Sequence, residues 1–205
     1  MHLITTIMNR SFYLERTLPT WLNKGFEKII IIDWSSSEPV LPIIEKYQDG
    51  TIVYVRIDDQ KFYNHSKAKN LRARFANDWF LSIDCDVKVK KLPALTSINH
   101  FYIGKMSGEW GTHLIHKETY FSVNGHNENL RGNVGDDGEF YNRLTAKSFV
   151  INKLDGLSHI HHSNELRVVH MEPKSKIGEW DESSIMQKFE CDILYPDNTT
   201  EHRTT

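Results

Sequence analysis

The sequence predicts an α/β fold whose central sheet is mostly parallel, Rossmann-like and flanked by helices. Three observations carry that expectation. Short apolar runs recur through the first 90 residues, stretches of helical character separate them, and carboxylates end two of the runs.

The elements follow in order. "LITTIM" (3–8) is rich in β-branched residues and forms the first strand. "RTLPTWL" then spaces Leu18, Trp21 and Leu22 as on one helix face. "KIIIID" (28–33) is a continuous apolar run, the pattern of a strand covered on both faces. "PVLPIIEKY" is a short helix opened by prolines, and "TIVYVRI" (51–57) is the third strand. "NHSKAKNLRARFAN" (64–77) sets Ala68, Leu71 and Phe75 on one face and basic residues on the other. "DWFLSID" closes a β-α-β-α-β-α-β series, which implies right-handed crossovers and ligands at the carboxyl ends of the strands.

The second half is less regular. "HFYIGKM", "GTHLIHK" and "SFVINKL" read as strands, "GDDGEFYNRLTAK" (135–147) as a helix opened by acids, and "SHIHHSNE" as a polar loop. From Met171 onward polar residues and Pro173 and Pro196 dominate, so 171–205 reads as a surface wrap or tail with frayed last residues.

Bulk composition excludes several classes. The 205 residues carry 25 basic and 27 acidic side chains, a net charge of −2, which leaves no electrostatic footprint for nucleic acid. No apolar run approaches the ~20 residues of a membrane span. Cys85 and Cys191 are the only cysteines and make no disulfide framework, so a reducing, cytoplasmic setting is expected.

Chemistry concentrates at three places. "WFLSIDCDVKV" (79–89) drives an apolar strand into Asp84 and Asp86, a cost in free energy that a hard divalent cation offsets. A helix cap or solvated turn is the plain alternative. "GDDGEF" places Asp136 and Asp137 in a first helical turn, where acids suit the helix dipole whatever else they do. "SHIHH" offers His159, His161 and His162; without paired cysteines or a second histidine cluster it does not read as structural zinc.

Five segments occur in sequence order: "TTIMNRSFYLERTLPTWL", "IIIIDWSS", "NHSKAKNLRARFANDWFLSIDCDVKV", "FSVNGHNEN" and "GDDGEFYNRL". Together they resemble glycosyltransferases of the GT-A fold, the family-2-like inverting enzymes and galactosyltransferase-type catalytic domains above all, over residues 3–165.

That resemblance implies a nucleotide-binding half (1–90), a donor-sugar and acceptor half (91–170) and the C-terminal appendage. It implies transfer of a sugar from a nucleoside diphosphate, UDP-linked by preference, to a glycan or other hydroxyl acceptor with the help of Mn²⁺ or Mg²⁺. The short chain leaves acceptor recognition to its second half, a partner or further domains of a longer protein. Thr5 or Thr6 would border the nucleotide, and Asp33 would hold the uracil ring unless it is a plain turn aspartate. Lys67 or Arg72, with His65 and Asn70, would face diphosphate or ribose, while Lys69 and Arg74 read as solvated. Asp84 would meet the ribose or a metal-bound water, and Asp86 the metal itself. His162 best fits the remaining ligand, His159 next, and His161 is a surface residue.

Aligning Asn142-Arg143-Leu144 on the family's "G-E-D-D/E-x-x-x-x-R-L" element makes Asp137 the base and Asp136 the acid before it. Gly138 departs from that pattern. Trp110, Gly111 and Thr112 in "EWGTHL" would line donor sugar and acceptor, although Trp110 equally suits a core. Loops before Gly111 and around 132–135 supply glycines for a lid.

Two rivals stand beside this reading. A haloacid-dehalogenase-type phosphohydrolase also ends an apolar strand in Asp-x-Asp, but near the chain start, and followed by residues other than Val87-Lys88. A catalytically silent sugar-nucleotide-binding module would make Asp137 dispensable. A nucleotidyltransferase lacks its Gly-rich first loop here.

Overall fold

β-Branched residues and apolar runs build the strands nearest the N-terminus: β1 (His2–Ile7), β2 (Lys28–Trp34), β3 (Ile52–Ile57) and β4 (Trp79–Ser82). They pair in parallel in the order β3-β2-β1-β4. Helices α1 (Ser11–Trp21), α2 (Leu41–Ile44) and α3 (His65–Arg74) connect them, as the alternating pattern predicts. The computed structural model describes residues 1–47, 49–106, 108–132, 135–163, 165–166, 169–171, 175–176 and 188–205.

The second half extends the sheet. β7 (His113–His116) lies antiparallel to β4, β6 (His100–Gly104) antiparallel to β7, and β9 (Val150–Leu154) parallel to β6. α4 (Lys117–Phe121) follows β7, and α5 (Asp136–Ala146) carries the acid-opened segment. Two small pairings complete the frame: β5 (Val87–Val89) with β10 (Leu157–His159), and β8 (Leu130–Arg131) with β11 (Ser175–Lys176). "SHIHH" is thus partly strand, because its first residues find an edge to pair with.

The C-terminus corrects the expectation of a frayed tail. β12 (Glu190–Leu194) pairs antiparallel with β3, and β13 (Thr200–Thr204) with β12, so the central sheet has nine strands. Cys191 and Ile193 are buried against the sheet while their neighbours stay exposed, an alternation short enough to be lost among polar residues.

Alternation along β1–β4 splits the core in two. Ile4, Ile30, Ile32, Val55 and Phe80 face one cluster with Leu71, Tyr120 and Phe140. Leu3, Ile31, Tyr54 and Leu81 face the other with Leu14, Leu18 and Trp21 of α1. Both sheet faces are covered, which accounts for the apolar runs. Among the described residues no helix is long and apolar enough to cross a membrane.

Candidate active site

The chain leaves β4 at Ser82 and turns at the carboxyl edge of the sheet, carrying Asp84 and Asp86 in different directions. Asp84 keeps a side chain 29% exposed and receives Arg72 Nη2 at 3.2 Å. Arg72 is wholly buried, and its guanidinium also donates to Thr6 Oγ1, Ser82 Oγ and Tyr63 Oη. Burial works to raise the Asp84 carboxyl, but the cations of Arg72 and Lys69 outweigh it and hold the group ionised well below the usual range.

Asp86 is buried, and its Oδ2 accepts from Arg10 Nη1 at 3.2 Å. The pairing of β10 with β5 sets His159 opposite Val87, and Ile160 N donates to the Asp86 carbonyl. That register delivers His162 Nε2 to 2.9 Å and His159 Nε2 to 3.7 Å from Asp86 Oδ2. Ser163 O lies 3.1 Å from His162 Nδ1, a partner that would fix the Nδ1–H tautomer if Nε2 ligated a cation. The three ligand atoms lie within 4.8 Å of one another, a nitrogen-rich donor set that fits one divalent cation. Gly108 permits this approach: it adopts φ +87°, and a Cβ there would stand 2.7 Å from His159 Nδ1.

A second cluster stands on the other side of Gly111. α5 opens at Gly135, in the left-handed region at φ +87°, with Asp136, Asp137 and Glu139 in its first turn. Lys69 Nζ, only 2% exposed, reaches from α3 to Asp136 Oδ2 at 3.0 Å and forms a closer ion pair with Asp137 Oδ1. Burial works to lower the Lys69 ammonium, yet Asp136, Asp137 and Asp84 more than offset it, so it stays charged. His126 Nε2 approaches the same Asp137 Oδ1 at 3.3 Å. His126, Asp136 and Asp137 have metal-ligand spacing, but Lys69 already supplies the cation there. The other oxygen, Asp137 Oδ2, turns toward Gly111: a Cβ on Gly111 would lie 3.6 Å from it and 2.7 Å from Asp84 Oδ2. Gly111 therefore marks where the two carboxylates converge.

A cavity at the first cluster is lined by Thr6, Met8, Arg10, Tyr63, His65, Asp84, Cys85, Asp86, Gly108, His159, His161, His162, His170 and Met171. Burial lowers the His65 imidazole and keeps it neutral. Trp110 is 56% exposed, with Lys153 Nζ 5.9 Å from its ring centre, which removes the core alternative for that residue.

The structure thus gathers Thr6, His65, Arg72, Asp84, Asp86, Asp136, Asp137, Gly111, His159 and His162, with Trp110 nearby. Other sequence-predicted residues are corrected. Thr5 points into the opposite face of β1 and is wholly buried. Asp33 is fully buried, with Ser36 N on Oδ1 and Val40 N, Tyr54 Oη and Arg56 on Oδ2, so in this structure it holds a turn. Lys67 lines no part of the cavity; its backbone N–H takes the Asn64 cap of α3. Asn70 is wholly buried and bonds His126 O, His126 N and Glu128. Thr112 is enclosed, and Asp84 belongs to Arg72 rather than to the Asp86–His159–His162 group.

Lys69 overturns the solvated reading, and Arg74 is half-buried with Nη1 on Thr205 O. Sequence reasoning missed Lys69, Arg10, Tyr63 and His126. The signal for Lys69 was its i+3 spacing to Arg72, which puts both cations on one helix face. His126 had no such signal. The proposed lid segments keep positive φ at Gly108, Gly132 and Gly135, and 133 and 134 lie outside the described residues.

The sequence matches no protein-family profile and no curated protein. Solved structures do match. The catalytic domain of Drosophila beta1,4-galactosyltransferase 7, in complex with xylobiose, aligns with a TM-score of 0.63 at 15% identity, covering 100% of this chain and 92% of that one. This chain has the GT-A fold. A variant of the same enzyme with manganese, UDP-Gal and xylobiose shares the GT-A fold at a TM-score of 0.64 and 15% identity, with the same coverage. Glucosyl-3-phosphoglycerate synthase from Mycobacterium tuberculosis, with Mn²⁺, UDP and its product, aligns at 0.51 and 11% identity over 81% of this chain and 74% of its own.

Proposed function

We propose that this protein is a metal-dependent glycosyltransferase that moves a hexosyl group from a UDP-linked donor to an acceptor hydroxyl with inversion. One observation carries the reading. Asp84 lines the same cavity as the Asp86–His159–His162 donor set, and at Gly111 its carboxylate converges with that of Asp137. Neighbours of the same fold were solved with manganese or Mn²⁺ and a uridine nucleotide, which supports that choice of donor and cation.

Asp86, His162 and His159 would hold the cation, and two imidazole nitrogens favour Mn²⁺ over Mg²⁺, which prefers oxygen ligands. Bound there, the ion supplies neutralisation of charge on the departing diphosphate. Thr6, Tyr63 and His65 border the nucleotide, and Arg72 holds Asp84 toward the ribose. Asp137 Oδ2 takes the proton of the acceptor hydroxyl as that oxygen attacks the anomeric carbon opposite the leaving group. Lys69 and His126 lie against Oδ1, so Oδ2 is the oxygen that faces Gly111 before the reaction. Trp110 offers an apolar face to a sugar ring. The first 90 residues thus serve the nucleotide and 91–170 the sugar and acceptor. A cytoplasmic setting remains part of the reading, consistent with free, buried Cys85 and Cys191.

Titration calorimetry with UDP and GDP, each with and without Mn²⁺, tests it. Mn²⁺-dependent UDP binding is expected; binding of neither nucleotide overturns the reading.

A further inference from the structure

His126 is wholly buried and belongs to none of the groups that would touch nucleotide or metal. Its hydrogen bonds nevertheless determine where its proton sits. Asn70 donates its amide to His126 O at 2.9 Å and to Glu128 Oε1 at 2.8 Å, which fixes that amide's orientation. Asn70 Oδ1 then accepts from His126 N and from Tyr120 Oη, each at 2.7 Å. The Tyr120 hydroxyl has spent its one hydrogen, so toward His126 Nδ1, 2.9 Å away, it can only accept. Nδ1 therefore carries the proton, and Nε2 of the neutral ring presents a lone pair to Asp137 Oδ1 at 3.3 Å.

Two acceptors facing each other repel unless a proton lies between them. Lys69, paired with the same Oδ1, makes the resting contact tolerable. Burial, with Lys69, Arg143 and Arg72, opposes protonation of His126, while Asp136 favours it; His113, stacked on the ring at 5.5 Å, is itself held neutral by burial.

We propose that His126 is a positioning residue for proton uptake: its bare Nε2 accepts a hydrogen bond from the Asp137 carboxyl once that group has taken the proton released by the acceptor hydroxyl. This rests on the reading of Asp137 as base. As the acceptor oxygen bonds to the anomeric carbon and the diphosphate leaves with the bonding electron pair, the acceptor proton moves to Asp137 Oδ2. A half-turn of the carboxyl group, whose terminal torsion is broad, brings that O–H against Nε2. The repulsive pair becomes an O–H···N hydrogen bond, and the state after proton transfer is the one His126 stabilises. The proton returns to water by the same path once the product has left.

The test uses the full chain with ¹⁵N-labelled histidine. Two-bond ¹H–¹⁵N correlation, without any substrate, is expected to report His126 protonated at Nδ1 alone at neutral pH. Tyr120→Phe removes the acceptor and is expected to move that proton to Nε2. A wild-type proton on Nε2 overturns the proposal. In parallel, Mn²⁺-supported hydrolysis of UDP-galactose, with water as acceptor, is followed in His126→Phe, which keeps the ring stacked on Phe140 but has no lone pair. Its kcat is expected to fall about ten-fold, at the low end of acid–base effects, with a changed pH profile and unchanged affinity for UDP with Mn²⁺. An unchanged kcat and pH profile overturn the proposal while leaving the transferase reading intact. Failure of the wild type to bind UDP with Mn²⁺ overturns both.

Discussion

His162 Nε2 stands 2.9 Å from Asp86 Oδ2 while its Nδ1 is tied to the carbonyl of Ser163. One residue is thus turned by its own neighbour so that its other nitrogen meets a carboxylate 76 positions away. Orienting contacts of this kind are worth 10–100-fold in metal affinity, and a ligand itself more. His162→Ala is therefore expected to weaken Mn²⁺-dependent UDP binding by roughly 100-fold or more, read by calorimetry. Equal affinity in the variant would remove His162 from the site.

Asp137→Asn keeps the side chain's shape and abolishes its basicity. Turnover is expected to fall by about 10²–10⁴-fold, the range for a lost general base, with nucleotide affinity retained. A variant as active as the wild type would remove Asp137 as the base, and a wild type that binds UDP without turnover would assign the protein to the silent binding modules.

Gly108→Ala separates the two histidines. The left-handed backbone at φ +87° is costly for alanine, and the new Cβ meets the His159 ring. Displacing His159 while leaving His162 in place is expected to weaken Mn²⁺ binding by less than His162→Ala does. A larger loss would make His159 the principal ligand.

Most of the sheet was legible because its signals are local. "KIIIID" and "DWFLSID" read as buried strands from their own composition, whereas the pairing of Asp86 with His162 was implied by the family resemblance alone. What escaped depends on long-range pairing. β12 and β13 are polar on one face and become strands because β3 offers an open edge. Lys69 looks solvated in any local window, since the acids that make its burial tolerable lie 67 and 68 residues onward. Asp33 hid its turn role for the converse reason: Tyr54 and Arg56, which hold its Oδ2, sit on the next strand.

Lys69→Met tests that burial. Removing the ammonium leaves Asp136 and Asp137 adjacent and uncompensated, a change that typically costs about 3–5 kcal/mol for a buried pair. Urea unfolding at neutral pH should show a lower midpoint with an unchanged slope. Acid should narrow the gap between variant and wild type, because protonated carboxyls no longer need the cation. A midpoint equal to the wild type's would mean that water already serves these acids.

Four histidines give the protein a defined acid sensitivity. Burial lowers the imidazoles of His2, His65, His113 and His126, the last two strongly. Each stays neutral in the folded chain at a pH where the unfolded chain takes up a proton. The unfolded state therefore binds more protons, and stability rises with pH across this window. It is fully present above the ordinary histidine value of about 6.5 and is lost as pH falls below it, by up to about 1.4 kcal/mol per pH unit for each group. Asp84, held ionised in the fold by nearby cations, adds a second loss below the ordinary carboxylate value of about 3.9. Urea unfolding at pH 7.5, 6.5 and 5.5 should thus show a falling free energy, with a shallower slope in His113→Phe. A slope that stays flat through this range would mean that the buried rings already share protons in the folded state.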